Sequence, residues 1–418
     1  RFNRDVGSFK NGELDIIPIA GKDLTITIDS ELQKYGELLM SGKKGGVVAI
    51  DPSNGEILSL VSAPSYNPNL LIGRNRSKNY MELYSDSIYK PLIDKSLLNM
   101  HAPGSPFKIL VGLSALQEKA ITEKTSIYCN NYYQYGKEKR TMQCHCGGGN
   151  RNLTNAISLS CNSYFANAYR KTIDTKSPTE ESFNNWSDQM KSFGLGEYLN
   201  NDLSVGKKGV IPDFEFYNNW YPDFKWGATT TLSNSIGQGE VLVTPIQLAN
   251  MTAAIANKGF YYTPHIIKKI EGAEIDSMFK IKNYTLIDST YFDPIIEGLS
   301  KVYTSGTAKF LQVPGIEICG KTGTAENFTK INGKKTQLTD HSIFIAFAPK
   351  DNPTIAISVL VENGYYGSRW AGRIASLMIE KHIKGEVTLK KMEQLVINTN
   401  LAEEYEKPYL DKPFKINQ

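Results

Sequence analysis

Ser105 stands three residues before Lys108 in HAPGSPFKIL (101–110). On a helix, positions i and i+3 share a face. An amine there can take a hydroxyl proton, provided the lysine is neutral. Burial at the start of an apolar helix, near other cations, lowers a lysine's pKa. The helix start also turns backbone N–H groups and a positive dipole end toward a developing oxyanion. The plainer reading is a helix cap with Lys108 in solvent. Spacing alone does not choose between them, because five such serine–lysine pairs begin at Ser41, Ser87, Ser105, Ser204 and Ser277.

Two further motifs favour the chemical reading. Ser160-Cys161-Asn162 lies in LSCNSYF; the same Ser-x-Asn spacing occurs at Ser65, Ser77 and Ser182, but only Ser160 sits in an apolar helical segment. Paired polar side chains need a reason to be there. Lys321-Thr322-Gly323-Thr324 occurs once, on a strand-like run beside an all-apolar strand. Glycine weakens a strand and often marks a place where another backbone approaches closely. Here that backbone would be a substrate strand pairing with the sheet edge.

Four of the five cysteines, Cys129, Cys144, Cys146 and Cys161, fall between residues 129 and 161. Four thiolates satisfy a closed tetrahedral zinc site. Cys144-His145-Cys146 offers two of them from one short loop, and Gly147-Gly148-Gly149 leaves that loop loose without a clamp. Two disulfides in an oxidising compartment, or a Cys129–Cys144 bridge with an apolar buried Cys161, are the alternatives. The odd count argues against complete pairing. Cys319, on the strand before Lys321, is the expected free thiol.

The elements that position these groups are readable in outline. GVVAIDPSNGEILSLVSA (46–63) alternates around Asn54-Gly55 and predicts two strands joined by a type I′ turn. IDSELQKYGELLM predicts a helix capped by Asp29 or Ser30. Ile109, Leu110, Leu113 and Leu116 recur at helical spacing after Ser105. Residues 152–171 read as one helical stretch, and 244–259 as a helix with a Thr cap, Pro in its first turn and Gly at its end. Strands are expected at 318–326, 341–349 and 354–362, the first two separated by a polar segment carrying Asn332-Gly333, and a last helix at 370–384. Strands joined by hairpins with helices between them predict an α+β fold, an antiparallel sheet covered by helices. Residues 1–20 fall outside this pattern and read as the stub of another domain; 21–392 form the main domain, and 393–418 read as a polar tail.

Composition is ordinary: 418 residues, 40% hydrophobic, 22% charged, with 47 basic against 43 acidic residues. A net charge of +4 does not argue for nucleic acid. No stretch approaches the apolar length of a membrane span. The opening RFNRDVG, without Met, reads as a fragment or a processed chain.

The order SxxK, SxN, KTG resembles the penicillin-binding proteins and serine β-lactamases. Similarity extends to GVVAIDPSNGEILSLVSAPSYNPN (46–69), to SIGQGEVLVTPIQLANMTAAIANKG (235–259), to FGLG (193–196) and to GTA (306–308), over residues 20–385. The chain is most similar to class B penicillin-binding proteins of the elongation type, because of the cysteine-bearing insert between the first two motifs. The resemblance implies the transpeptidase fold with an all-helical subdomain. It also implies peptidoglycan D,D-transpeptidase activity on D-Ala-D-Ala stem peptides and acylation by β-lactams. Ser105 would be the nucleophile and Lys108 its base. Ser160 would relay a proton, and Asn162 would hold Lys108 and the donor amide. Lys321, Thr322, Gly323 and Thr324 would bind the substrate carboxylate and strand, and the N–H groups of Ser105 and Thr324 would form the oxyanion hole. No cofactor is needed for catalysis. A structural zinc on Cys129, Cys144, Cys146 and Cys161 resembles the site of zinc-binding elongation-type members, where histidine can replace a cysteine, so His145 is a substitute for Cys146. A membrane glycosyltransferase of the elongation machinery is the implied partner, and the outer face of the cytoplasmic membrane the implied location. Glu197-Tyr198-Leu199-Asn200 is one residue short of the E-x-x-L-N run of class A β-lactamases. A β-lactam sensor or a carboxypeptidase would carry the same three motifs.

Overall fold

The computed structural model describes residues 9–13, 16, 18–175, 179–223, 225–331 and 333–407. Five antiparallel strands form the central sheet: β1 (Gly45–Ile50), β2 (Ile57–Ala63), β3 (Cys319–Ile331), β4 (Lys334–Ala348) and β5 (Ile355–Val361), in spatial order β3-β4-β5-β1-β2. Every residue of the central strands β1 and β5 is buried. GGVVAI and IAISVLV are therefore near-continuous apolar runs rather than alternating ones, as covering on both faces requires. The helices that matter here are α1 (Ser30–Leu39), α2 (Lys108–Gln117), α3 (Leu153–Ser158), α4 (Asn162–Ile173), α5 (Pro245–Ala256), α6 (Phe292–Thr304), α7 (Ala371–Lys384), α8 (Lys390–Asn398) and α9 (Ala402–Glu406).

Two hydrogen bonds separate the faces of the sheet. Ser358 Oγ donates to Pro245 O at 2.6 Å, so α5 covers the face carrying Ser358 and its cross-strand neighbour Ile345. The Ala371 N–H donates to Ser342 Oγ at 3.1 Å, so α7 covers the opposite face, which carries Ser342 and Phe344. Each large aliphatic side chain buried between these layers contributes roughly 1.5–3 kcal/mol. The expected α+β architecture is the one found. Asp29 caps α1 by accepting from the N–H groups of Glu31 and Leu32, and Thr244 with Gln247 forms a full capping box on α5.

Four expectations are corrected. The β1–β2 connection is not a type I′ turn: only Gly55 has positive φ (84°), and Asp51 closes a longer loop by accepting from Gly55 and donating to Glu56. A type I′ turn needs left-handed backbone at Asn54 as well. The stretch 152–171 is two helices, α3 and α4, broken at Leu159–Cys161 with Ser160 at φ 56°. The polar segment after Lys321-Thr322-Gly323 continues the ladder, pairing Asn327–Ile331 with Lys334–Leu338; its alternation matches a hairpin that leaves the sheet, and Asn332 itself lies outside the described residues. Residues 393–407 are not a free tail. Val396, Leu401 and Tyr405 are buried, and Lys43 Nζ donates to Val396 O at 2.7 Å and Thr399 O at 3.1 Å. Residues 408–418 and most of the expected N-terminal stub (1–8, 14, 15 and 17) lie outside the described residues. No described helix is long and apolar enough to cross a membrane.

Candidate active site

Ser105 opens a 3-10 turn, Ser105–Phe107, that runs directly into α2. In a 3-10 turn, side chains three apart eclipse, so the turn brings the Ser105 and Lys108 side chains to one side. Gly104 before it has φ 61° and ψ −148°, a backbone that favours glycine. A Cβ at Gly104 would also stand 2.6 Å from Thr324 O, and one at Gly323 would stand 2.6 Å from Pro106 Cδ. The two glycines thus let the serine turn and the edge strand β3 touch backbone to backbone. Gly104 N donates to Gly237 O at 2.8 Å, and Gln238 Nε2 donates to Thr324 O at 3.0 Å, which clamps the same junction from a third segment.

Lys108 is fully buried. Its Nζ donates to Asn162 Oδ1 at 2.5 Å and Ser160 O at 2.8 Å, with Ser160 Oγ at 3.1 Å. Burial lowers its pKa to about 8, against a smaller upward pull from the nearby cysteine thiols. A neutral amine has two N–H donors and one lone pair. Two carbonyl-type acceptors occupy the donors, and the lone pair is left for a hydroxyl proton. The break between α3 and α4 is what presents Ser160 O to Lys108. A non-glycine residue at φ 56° costs roughly 1–2 kcal/mol, and such strain collects where a side chain must be held in place.

Lys321 is also fully buried and is held well below its ordinary pKa, first by burial and then by the charge of Lys108. Lys321 and Gly323 lie on the opposite face from α7, toward Lys108 and Pro106, whereas Thr322 and Thr324 pair with Phe344 and Ser342 and face α7. Thr322 Oγ1 lies 3.0 Å from Thr307 Oγ1. The edge position of β3 leaves one side of this strand outside the ladder. Ser105, Lys108, Ser160, Asn162 and Lys321 to Thr324 are therefore brought together. Gln238 and Thr307 join these residues, and the sequence motifs do not include them as site residues. The flanking Gly237 and Gly239, both at positive φ (67° and 76°), are the local sign that Gln238 is specially placed. Glu197 is an exposed residue whose carbonyl accepts from Gln247, with no contact from its carboxylate to Ser105 or Lys108 among the described residues.

The sulfur atoms of Cys129, Cys144, Cys146 and Cys161 lie within 4.8 Å of one another, all buried. The pairs Cys144–Cys161 and Cys129–Cys146 are 3.7 and 3.5 Å apart, and all five cysteines are free thiols. Disulfide sulfurs would be at about 2.05 Å, whereas four sulfurs at about 2.3 Å around one zinc stand about 3.8 Å apart. The donor set therefore fits a tetrahedral thiolate-binding ion. Cys144 has its pKa lowered, first by its contact with Cys161, and Cys161 is raised by the same contact, so the pair favours one thiolate. His145 is exposed and outside the cluster. Cys319 is buried in the core, and burial raises its thiol pKa. The Asn162 N–H donates to Cys144 Sγ at 3.1 Å, and Asn162 Nδ2 donates to Gln143 O at 2.7 Å, so the cysteine loop touches the residue that holds Lys108.

Residues 45–380 match the family described as the penicillin binding protein transpeptidase domain. The peptidoglycan D,D-transpeptidase MrdA of Acinetobacter baumannii is 33% identical over 84% of this chain, which spans about half (52%) of that relative's length. Penicillin-binding protein 2 of Pseudomonas aeruginosa, solved in complex with WCK 5153, superposes with a TM-score of 0.76 at 31% identity, covering 89% of this chain and 79% of that one. Penicillin-binding protein A of M. tuberculosis, solved as a ceftriaxone acyl-enzyme complex, gives 0.72 at 25% identity, covering 87% and 81%. With the three motifs gathered at one sheet edge and the family match running across the whole central fold, the chain belongs to the penicillin-binding protein transpeptidase family, on its penicillin-binding protein 2 branch.

Proposed function

We propose that this chain is the catalytic domain of a peptidoglycan D,D-transpeptidase acting in cell elongation. The observation that carries the reading is the buried Lys108 amine, held by Ser160 O and Asn162 Oδ1 with its pKa drawn down to about 8. Lys108 takes the Ser105 proton as Ser105 Oγ bonds to the carbonyl carbon of the penultimate D-alanine. The resulting oxyanion is held by the N–H groups of Ser105, at the start of its turn, and of Thr324. Collapse breaks the peptide bond, and the proton held by Lys108 passes through Ser160 Oγ, 3.1 Å from Lys108 Nζ, to the departing D-alanine amine, leaving an acyl-enzyme on Ser105 and a neutral Lys108. An amine of a neighbouring stem peptide then attacks the ester, its proton goes to Lys108, and Lys108 returns it to the Ser105 oxygen as the ester bond breaks. The terminal carboxylate of the donor gives Lys321 the counter-charge that its buried position lacks, beside Thr322 and Thr324. A β-lactam would enter by the same route and stay bound as the acyl-enzyme.

The same reading carries a structural zinc on Cys129, Cys144, Cys146 and Cys161. The spacing and burial of the four sulfurs support it. A bound zinc would hold thiolates and fix Cys161, which lies between Ser160 and Asn162, so its part is support rather than chemistry. Family resemblance supports a location on the outer face of the cytoplasmic membrane and work alongside a membrane glycosyltransferase.

Incubation with a fluorescent penicillin, followed by mass spectrometry of the labelled peptide, tests the reading. The adduct is expected on Ser105, and Ser105→Ala should lose it while costing only about 1 kcal/mol of stability. Label on Ser41, Ser87, Ser204 or Ser277 would overturn it. Turnover of a D-Ala-D-Ala thioester separates an enzyme from a β-lactam sensor.

A further inference from the structure

Two cations beside the site, Arg369 and Arg373, have no carboxylate partner among the described residues. Arg369 lies with Cζ 3.9 Å from the Tyr365 ring centroid and 5.8 Å from that of Trp370; Arg373 lies 5.7 Å from the Trp370 ring and 5.5 Å from the Phe310 ring. Among the described residues, the one side-chain hydrogen bond they donate is internal, from Arg373 Nη1 to Arg369 O. The titratable groups that act on Arg373 are Tyr366 and Arg369, and no acid is among them. Elsewhere, most of the protein's ion pairs are ordinary Lys or Arg contacts with Asp or Glu, such as Lys44–Glu362 at 3.0 Å. Two neighbouring guanidinium groups without a carboxylate among the described residues repel each other, and the arrangement is fixed rather than loose.

The fixing is visible in the backbone. Tyr365 has φ 72°, a genuine outlier for an aromatic residue. Its hydroxyl donates to the buried Glu404 at 2.6 Å, and Glu404 also accepts from Thr339 on β4 at 2.8 Å. The guanidinium of Arg369 thus rests on a ring tied to the C-terminal helix α9. An arginine stacked on an aromatic face has its planar fork oriented in advance, which suits a carboxylate.

The position is set by contacts to the substrate edge. The backbone oxygens of Tyr366 and Gly367 accept from Ser342 Oγ at 2.9 and 3.3 Å, and Ser342 is the cross-strand partner of Thr324. Thr322 is reached from the other end, through Thr307 at 3.0 Å and the short turn Lys309–Leu311 that carries Phe310 onto Arg373. Thr322, Thr324 and the start of α7 share one face of the sheet. The segments that carry Arg369 and Arg373 therefore flank the Thr322–Thr324 stretch of β3 on the α7 side of the sheet, where Tyr366 and Phe310 are 53% and 51% exposed. The N-terminal end of the fourteen-residue helix α7 adds its positive dipole at the same place.

We infer that Arg369 and Arg373 form a carboxylate-recognising rim beside the Thr322–Thr324 edge, which selects peptide ligands carrying a second carboxylate in addition to the terminal one. This rests on the transpeptidase reading above and names a feature of its substrate. Lys321, Thr322 and Thr324 hold the terminal carboxylate; the rim meets an acidic group elsewhere on the peptide.

Benzylpenicillin and carbenicillin differ by one side-chain carboxylate, so the ratio of their second-order acylation rates isolates the effect of that charge. In Arg369→Gln and Arg373→Gln the carbenicillin-to-benzylpenicillin ratio should fall roughly three- to fivefold, the size of a solvent-exposed charge contact. Arg369→Lys, which keeps the charge and loses the stacked fork, should recover part of that fall, and added salt should shrink the wild-type ratio. An unchanged ratio in both glutamine variants, with wild type acylated at Ser105, overturns the rim and leaves the transpeptidase reading standing. An equal fall in the lysine and glutamine variants shows that packing rather than charge is read, and also overturns it. Failure of both penicillins to acylate wild type overturns the transpeptidase reading itself, and the rim with it.

Discussion

Asn162 holds Lys108 Nζ at 2.5 Å through its carbonyl oxygen while its amide nitrogen donates 2.7 Å to Gln143 O on the cysteine loop. One side chain thus ties the buried base to the thiol cluster. Asn162→Ala removes an acceptor that fixes Lys108, and it frees the loop. Acylation by penicillin should fall by roughly 100-fold or more, the scale of a displaced general base. Stopped-flow or gel-based acylation rates check this, and a loss below tenfold would show that Ser160 O alone suffices to hold the amine.

Lys108 sets the pH dependence. Burial lowers its pKa to about 8, so the fraction in the neutral, proton-accepting form grows as pH rises through that value. The acylation rate should climb with pH and level off above about 8 in wild type. Lys108→Arg keeps a cation and cannot deprotonate, so it should give no measurable acylation at any pH between 6 and 9. A variant that still acylates with a flat profile would show that only the charge is used.

The parts of the site legible in the sequence are those in which short spacing and chemistry coincide. Ser105 and Lys108 sit one turn apart, Ser160 and Asn162 flank a cysteine, and Lys321 to Thr324 lie on one strand. The four cysteines are legible for the same reason. What escapes is whatever reaches the site from far along the chain. Gln238 contacts Thr324 across 86 residues and Thr307 meets Thr322 across 15, and no local periodicity announces either. The break at Ser160 escapes because its apolar neighbours keep helical spacing while one left-handed residue interrupts the backbone. The packing of α8, α9 and the turn between them escapes because their buried residues, Val396, Leu401 and Tyr405, are thinly spread among polar and charged ones.

The thiol cluster predicts a metal dependence with two readouts. Protein purified without added metal should carry close to one equivalent of zinc, and only Cys319 should remain as a thiol outside the cluster. Chelation should lower the melting temperature and the acylation rate together, because Cys161 sits between Ser160 and Asn162. Readdition of zinc should restore both. A thiol titration showing two disulfides, with less than half an equivalent of zinc, would remove the metal and leave the serine chemistry intact.

Glu404 supplies the last prediction, on stability. Burial pushes its carboxyl pKa upward, but Lys407, Tyr365 and Thr339 all hydrogen-bond the charged form and bring it below the ordinary value. A carboxylate with a depressed folded-state pKa contributes stability that is fully present above the unfolded value of about 4.3 and is lost as pH falls below it. Wild type should therefore lose melting temperature more steeply between pH 5 and 3 than Glu404→Gln does. At pH 7 the glutamine variant should be less stable by roughly 1–3 kcal/mol, since a neutral amide replaces an acceptor of charge-assisted bonds. The same substitution loosens Tyr365, on which Arg369 rests, so the carbenicillin-to-benzylpenicillin ratio should drop in Glu404→Gln as well, although Glu404 touches no substrate. Parallel acid melting curves for the two proteins would show that the network is held by packing and that the carboxylate charge adds nothing.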